Sequence, residues 1–137
     1  MDLTGAIYDR LRSDAVLAGL VSSYEGKAAV FTTDPPPGDA SLPYVISAGH
    51  VSDLSFDTKT TRGREVWRDF RCYAPANGSA LIVEAMAERV RALFHRYRLP
   101  VTGFENAWVA EARGPIAVDE DEAYGRIVTV RFLLEEV

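Results

Sequence analysis

Tyr44-Val45-Ile46-Ser47-Ala48 and Val66-Trp67-Arg68-Asp69-Phe70-Arg71-Cys72-Tyr73 are apolar limbs, and between them runs the polar stretch Ser52-Asp53-Leu54-Ser55-Phe56-Asp57-Thr58-Lys59-Thr60-Thr61-Arg62-Gly63-Arg64. Both limbs are rich in β-branched and aromatic residues and are bounded by turn formers, so both are predicted strands. A tight hairpin needs no connection of that length. A long polar connection is either disordered or functional, and function is therefore sought first between residues 52 and 64.

Working back from the first limb, Pro43 stands at the opening position that a strand tolerates. Asp34-Pro35-Pro36-Pro37-Gly38-Asp39 loses three backbone donors and is held extended. It reads as a rigid surface connector, with recognition by an aromatic groove as the alternative. Ala28 to Thr32 is a short strand, and Ser22 to Lys27 a polar turn. Leu3 to Val21 is helical, because Leu3, Ile7 and Leu11 and then Val16, Leu17 and Leu20 recur at helical spacing. Thr4 is a candidate cap for the first turn, and Ser13 or Asp14 for a second short helix.

Forward of the second limb, Ala74 to Ser79 is a loop in which Asn77 or Ser79 would cap a helix over Ala80 to Tyr97. Ile82, Met86, Val90, Leu93 and Tyr97 form its apolar stripe, widened by Val83, Ala87 and Phe94. Glu84 and Glu88 come early and Arg91, His95, Arg96 and Arg98 late, as the helix dipole favours, and Pro100 stops the helix. Phe104 to Arg113 is a strand broken by Gly114-Pro115. Asp119-Glu120-Asp121-Glu122 is an acidic turn. Tyr124 to Glu135 is the last strand, with Val128, Val130, Phe132 and Leu134 on one face. The order α-β-β-β-α-β-β, with strands in sequential runs, predicts an α+β fold. Its sheet is mostly antiparallel, of about five strands, with two main helical segments on one side. One domain is expected over residues 1–137.

Composition narrows the class. With 137 residues, 47% of them hydrophobic, the chain can build one core. A net charge of −5 argues against sequence-independent nucleic-acid binding, which needs a cationic face. Cys72 is the only cysteine, so no internal disulfide or cysteine metal site is expected; it reads as a small buried hydrophobe. Met1 to Gly5 lacks the features of a signal peptide, and no window approaches the ~20 apolar residues of a membrane span. A soluble intracellular protein is expected, with no membrane contact.

No catalytic constellation emerges. His50 and His95 lack partners at metal-ligand spacing and read as surface or cap histidines. No nucleophile elbow, Walker loop or dinucleotide fingerprint occurs. The acidic turn lacks the alternate spacing and glycine of a calcium loop. On a strand, Arg62, Arg64 and Arg68 would share one face and Arg71 the other. They form either an anion-binding strip or ion pairs, and the abundance of acids favours pairs. No catalytic, cofactor or metal residue is assigned.

Apolar side chains nevertheless occur on both faces of the predicted sheet. Val66, Phe70 and Cys72 lie on one side, Trp67 and Tyr73 on the other, and Ile127 and Leu133 extend the second face. Helices on one side cannot cover both, and exposed apolar surface marks a protein–protein contact. The alternative is that the N-terminal helices cover the second face. Leu54 and Phe56, set among polar residues, suit a loop that docks on a neighbour.

Taken in order, several short motifs carry a family resemblance. They are Ile7-Tyr8-Asp9-Arg10-Leu11, Asp14 to Val21, Leu42-Pro43-Tyr44-Val45-Ile46, Ser52-Asp53 leading to Thr60-Thr61-Arg62-Gly63-Arg64, the helix around Ala85 to Leu93, and Tyr124-Gly125 to Phe132. In these the chain resembles the tail terminator (tail completion, tail-to-head joining) proteins of long-tailed phages and gene transfer agents. The resemblance implies a non-enzymatic α+β subunit without cofactor, forming a hexameric ring. That ring would cap the tail tube and meet the head–tail connector or stopper protein. DNA would pass through its lumen without specific binding, helped by the negative net charge. The protein would be found in the bacterial cytoplasm during assembly and then in the virion or gene-transfer-agent tail. Asp53, Phe56, Lys59, Arg62, Arg64 and Trp67 are assigned to ring or tube contacts. The competing readings are another neck component, a small enzyme using the arginines and the acidic turn, and a monomeric peptide-binding module.

Overall fold

Strand alternation runs unbroken along the second limb. In the computed structural model, which describes residues 1–137, β6 spans Gly63–Pro75, and Val66, Arg68, Phe70, Cys72 and Ala74 are buried while the residues between them are half exposed. In chain order the elements before it are α1 (Leu3–Ser13), α2 (Ala15–Ala18), β1 (Ser23–Tyr24), β2 (Lys27–Ala28), β3 (Val30–Phe31), β4 (Tyr44–Ile46) and β5 (His50–Ser55). After it come α3 (Leu81–Phe94), β7 (Phe104–Asn106), β8 (Glu111–Ala117) and β9 (Ala123–Glu136).

β6 and β9 pair antiparallel from Gly63 opposite Glu135 to Pro75 opposite Ala123, and this long ladder is the spine of the molecule. Around it the main sheet has seven strands in the order β3-β4-β6-β9-β7, with β5 also on β6 and β8 also on β9. Only β3 and β4 pair parallel. The fold is α+β and mostly antiparallel, as expected, but with more strands than about five.

The core lies on one face of the sheet. Leu3, Ile7 and Leu11 of α1, Leu17 of α2, and Val83, Met86, Ala87, Val90, Leu93 and Phe94 of α3 join Val66, Phe70, Val128, Val130 and Phe132 in one cluster. The Phe94 ring stacks on Phe70 at 4.8 Å and meets Phe132 edge-on at 6.1 Å. The N-terminal helices therefore share the face of α3 and leave the opposite face of the sheet open. Cys72 is buried on the core side, where desolvation pushes its thiol up to about 12. No helix is long and apolar enough to cross a membrane.

Several boundaries differ from the sequence reading, each for a physical reason. Residues 52–55 belong to β5 rather than to a loop; on an edge strand with both sides wet, polar residues erase the alternation signal. The strand expected over Phe104 to Arg113 divides into β7 and β8, and Trp108 between them is 53% exposed. β8 runs through Gly114-Pro115 because a register shift between Arg113 and Ile116 absorbs the proline. Residues 22–27 are not a bare turn but include the start of a small β1–β2 hairpin.

The helix ends differ too. α3 stops at Phe94, where His95 turns extended and the Arg96 N–H bonds to the Ala110 carbonyl. Ile82 is exposed, and Val83 takes its place on the packed stripe. Asp2, not Thr4, caps α1, its Oδ1 accepting from the Gly5 N–H at 2.9 Å. Asp14 caps α2 as expected, with Oδ2 accepting from the Leu17 N–H at 2.9 Å. The same carboxylate takes both Arg89 Nε (2.8 Å) and Nη2 (2.6 Å) from α3, which holds Asp14 below the usual carboxylate range. Ala80, without a side-chain bond, begins α3 in place of Asn77 or Ser79.

Candidate assembly interface

The stretch between the two limbs is an arm. β5 lies antiparallel to β6 with Ser52 opposite Trp67, Asp53 opposite Val66 and Ser55 opposite Arg64. Beyond it the pairing continues, with the Phe56 N–H donating to the Gly63 carbonyl at 2.8 Å and the Thr58 N–H to the Thr61 carbonyl at 2.9 Å. The hydroxyls of Thr58 and Thr61 meet at 2.6 Å, and Asp57 Oδ1 accepts from the Gly63 N–H at 3.1 Å. A Cβ at Gly63 would strike the carbonyl oxygens of Phe56 and Leu134, so only glycine lets the arm's root lie that close to β9. The far side of β5 has no strand partner. Val51 and Leu54 on β5 and Phe56 just beyond it are 61%, 58% and 38% exposed. An open edge with apolar side chains invites another chain.

The six residues assigned from the sequence fall into three groups. Asp53 and Arg64 face each other: Arg64 Nε donates to Asp53 Oδ1 at 3.0 Å and Nη2 to Oδ2. The guanidinium lowers the Asp53 pKa and the carboxylate raises that of Arg64. This fork–fork pair braces the arm from within. Lys59 lies at the tip of the arm, whereas Phe56 and Arg62 flank its root, with Phe56 opposite Gly63 and the Arg62 carbonyl accepting from the Glu136 N–H at 2.7 Å. Lys59 and Arg62 have no ion-pair partner in the chain. Trp67 is elsewhere, on the open face of the sheet.

On that face Trp67 Nε1 donates to Glu65 Oε1 at 3.1 Å, and the Arg113 guanidinium lies 4.6 Å from the ring centroid. Glu65 also accepts from Arg131 Nη2 at 2.9 Å. Its carboxyl is held low by the indole N–H first and by Arg131 second. Asp69 accepts from the Thr129 hydroxyl at 2.7 Å. A shallow depression of about 430 Å³ is lined by Val51, Trp67, Arg113, Ile116 and Thr129. Ile116 is 65% exposed. The second face is thus a cross-strand polar lattice with apolar side chains at its margins. Val51, Arg113 and Ile116 went unnoticed in the sequence because only their register across β6 and β9 gathers them around Trp67.

Arg68 corrects the arginine strip. It is fully buried on the core face, not aligned at the surface with Arg62 and Arg64. Its Nη1 donates to Thr4 Oγ1 at 3.0 Å and lies 3.2 Å from His50 Nδ1. Its Nη2 donates to Ser47 Oγ at 2.9 Å and to the Ser47 carbonyl at 3.2 Å. Its Nε has no partner, and no carboxylate pairs with it. Burial lowers its pKa. The contacts tie α1 to the β4–β5 junction, which is the base of the arm. The period-two alternation with Val66 and Phe70 was the signal that could have placed it.

No group of three or more His, Cys, Asp or Glu is placed to hold a metal ion. His95 Nδ1 accepts from the Ala112 N–H at 3.1 Å and joins the end of α3 to β8. In the acidic turn, Asp119 Oδ1 takes Arg126 Nη1 at 2.7 Å and the Gly125 N–H at 3.2 Å, so that carboxylate is already engaged.

No protein-family model matches the sequence, and no curated protein matches it. Among solved structures, a chain of "Virion of native gene transfer agent (GTA) particle" superposes with a TM-score of 0.79 at 23% sequence identity, covering 97% of this chain and 94% of that one. The chain is thus similar in fold, over nearly its whole length, to a chain of a native gene transfer agent virion.

Proposed function

We propose that this chain is a virion structural protein, a single-domain subunit of a phage-like or gene-transfer-agent tail. It assembles with copies of itself into a ring, hexameric by resemblance, that ends the tail tube and joins it to the head–tail connector. The observation that carries this reading is the likeness of fold to a gene transfer agent virion chain across 97% of the sequence. The braced arm with an unpaired edge and the open sheet face supply surfaces that such assembly needs. Asp53 and Arg64 hold the arm's shape, Lys59 makes contacts from its tip and Phe56 and Arg62 from its flanks, and Trp67 marks a second contact on the open face. The work is mechanical, without catalysis or cofactor. DNA crosses the lumen without specific binding, and the net charge of −5 limits adhesion to it. The protein passes from the bacterial cytoplasm into the particle.

A different neck component built on the same fold is the second reading, and the likeness in fold serves it equally. The enzyme reading drew on the arginines of β6 and the acidic turn; burial of Arg68, the pairing of Arg64 with Asp53 and the engagement of Asp119 by Arg126 count against it. Light scattering and negative-stain imaging of the purified protein, alone and with purified tail tubes, test the proposal. A ring that seats on tube ends supports terminator over neck component. A ring that binds only the head connector selects the second reading, and a particle that binds neither removes both.

A further inference from the structure

A groove of about 520 Å³ opens beside the start of α1. Tyr8, Tyr24 and Phe31 line it, with Pro37 at one end. Tyr24 and Phe31 meet edge-on at 5.2 Å, and the Tyr24 hydroxyl donates to Asp39 Oδ1 at 2.9 Å. Glu25 and Gly26, at φ of 49° and 79°, close the β1–β2 turn and set Glu25 out at the rim. Asp2 and Glu25 stand there against Lys27, all of them exposed. Glu25 makes no ion pair. The lining has no buried charged side chain, and Thr4, Thr32 and Thr33 are its polar members besides the tyrosines and the charged rim. It is an aromatic trough with a lip of two carboxylates and one lysine, acidic by a single charge.

The arm is its complement: one exposed aromatic, Phe56, followed by Lys59 and Arg62, whose charges are unspent within the chain. We propose that the groove receives the arm of a second copy of this chain, with Phe56 against the tyrosine and phenylalanine rings and Lys59 and Arg62 at the acidic lip. Opposite charge on the two surfaces steers their encounter and fixes the register, and ring-to-ring contact favours Phe56 in the trough. Arm and groove are different surfaces, so the contact is heterologous and repeats from copy to copy. Such a contact closes into a ring when the rotation permits, whereas a like-on-like contact ends at a dimer. The inference rests on the ring reading above and names the contact that builds the ring.

Glu25→Cys and Lys59→Cys, carried on separate copies, test it with a short bis-maleimide. The native Cys72 is buried and its thiol is pushed up to about 12, so only the introduced thiols react. The expected result is a cross-linked heterodimer in the mixture and none in either variant alone. In parallel, Glu25→Lys and Lys59→Glu should each weaken ring formation by about tenfold or more, and the double variant should recover most of it. Circular dichroism of these exposed-turn variants should match the wild type. If wild-type rings form while the mixture gives no cross-link and the charge reversals assemble as well as wild type, the contact is wrong and the ring stands. If the wild type forms no ring alone or on tail tubes, the ring reading fails first and this contact with it.

Discussion

Arg68 Nη1 stands 3.2 Å from His50 Nδ1, so a guanidinium sealed in the core leans on an imidazole at its edge. The His50 pKa is lowered from 6.5, by burial first and by Arg68 second, with Arg64 adding to the fall and Asp53 opposing it. The folded state therefore binds the proton less readily than the unfolded chain. The stability this contact contributes is complete above about pH 6.5 and is lost as pH falls through the depressed folded value. Asp14, Asp53 and Glu65 also have lowered pKa values, but their ordinary values of 3.8 and 4.5 put their loss in a more acidic window. Urea unfolding between about pH 5 and 7 should show falling stability on acidification, and His50→Gln should flatten that slope. Parallel curves for the two proteins would contradict the assignment.

Removing the buried charge should destabilise, because Ser47, which accepts from it twice, is buried with it. Ser47 is 1% exposed, and in Arg68→Met its hydroxyl and carbonyl lose their donor, at a cost of about 1–3 kcal/mol. Arg68→Ala should cost more, since a cavity is added. Adding Ser47→Ala to Arg68→Met should recover part of the loss. Equilibrium unfolding of the series checks this, and an Arg68→Met protein as stable as wild type would show that the cluster does not hold the arm's base.

The Asp53–Arg64 pair is a different case. Its side chains are 29% and 36% exposed, so a double-mutant cycle should give a coupling of about 0.2–1 kcal/mol, smaller in high salt. Its larger effect should be on the arm: amide exchange from residue 56 to 62 should quicken in Asp53→Asn with little change in global stability. Unchanged exchange there would mean that the pair does not brace the arm.

Gly63→Ala tests the arm's root by sterics alone. The added Cβ would press on the Phe56 and Leu134 carbonyl oxygens, and relief requires the arm to move away from β9. A loss of about 1–3 kcal/mol is expected, with changed amide shifts confined to the arm and the adjoining end of β9. A variant indistinguishable from wild type by both measures would contradict the tight approach.

Where periodicity and burial agree, the sequence was readable. Val128, Val130, Phe132 and Leu134 alternate along β9 and are all buried, and Asp14 capped the helix it was expected to cap. β5 was not readable, because His50, Ser52, Asp53 and Ser55 lie on an edge with water on both sides and no alternation survives. Arg68 shared its parity with Val66 and Phe70, but its charge argued for the surface; only the hydroxyls and carbonyl around it explain its burial. At the candidate site, Phe56 stood out in the sequence as an apolar residue within a polar connection, but its exposure shows only in the structure. Arg113 beside Trp67 was not, since it reaches Trp67 only through strand register across β9.

If the arm joins copies of this chain into a ring, shortening the arm abolishes assembly. Replacing residues 56–62 with a two-residue turn leaves the core cluster untouched, so light scattering of that variant beside the wild type tests the claim most directly. The expected result is a ring-sized particle of about six subunits for the wild type and a folded monomer for the variant. A variant that forms the same ring would contradict it.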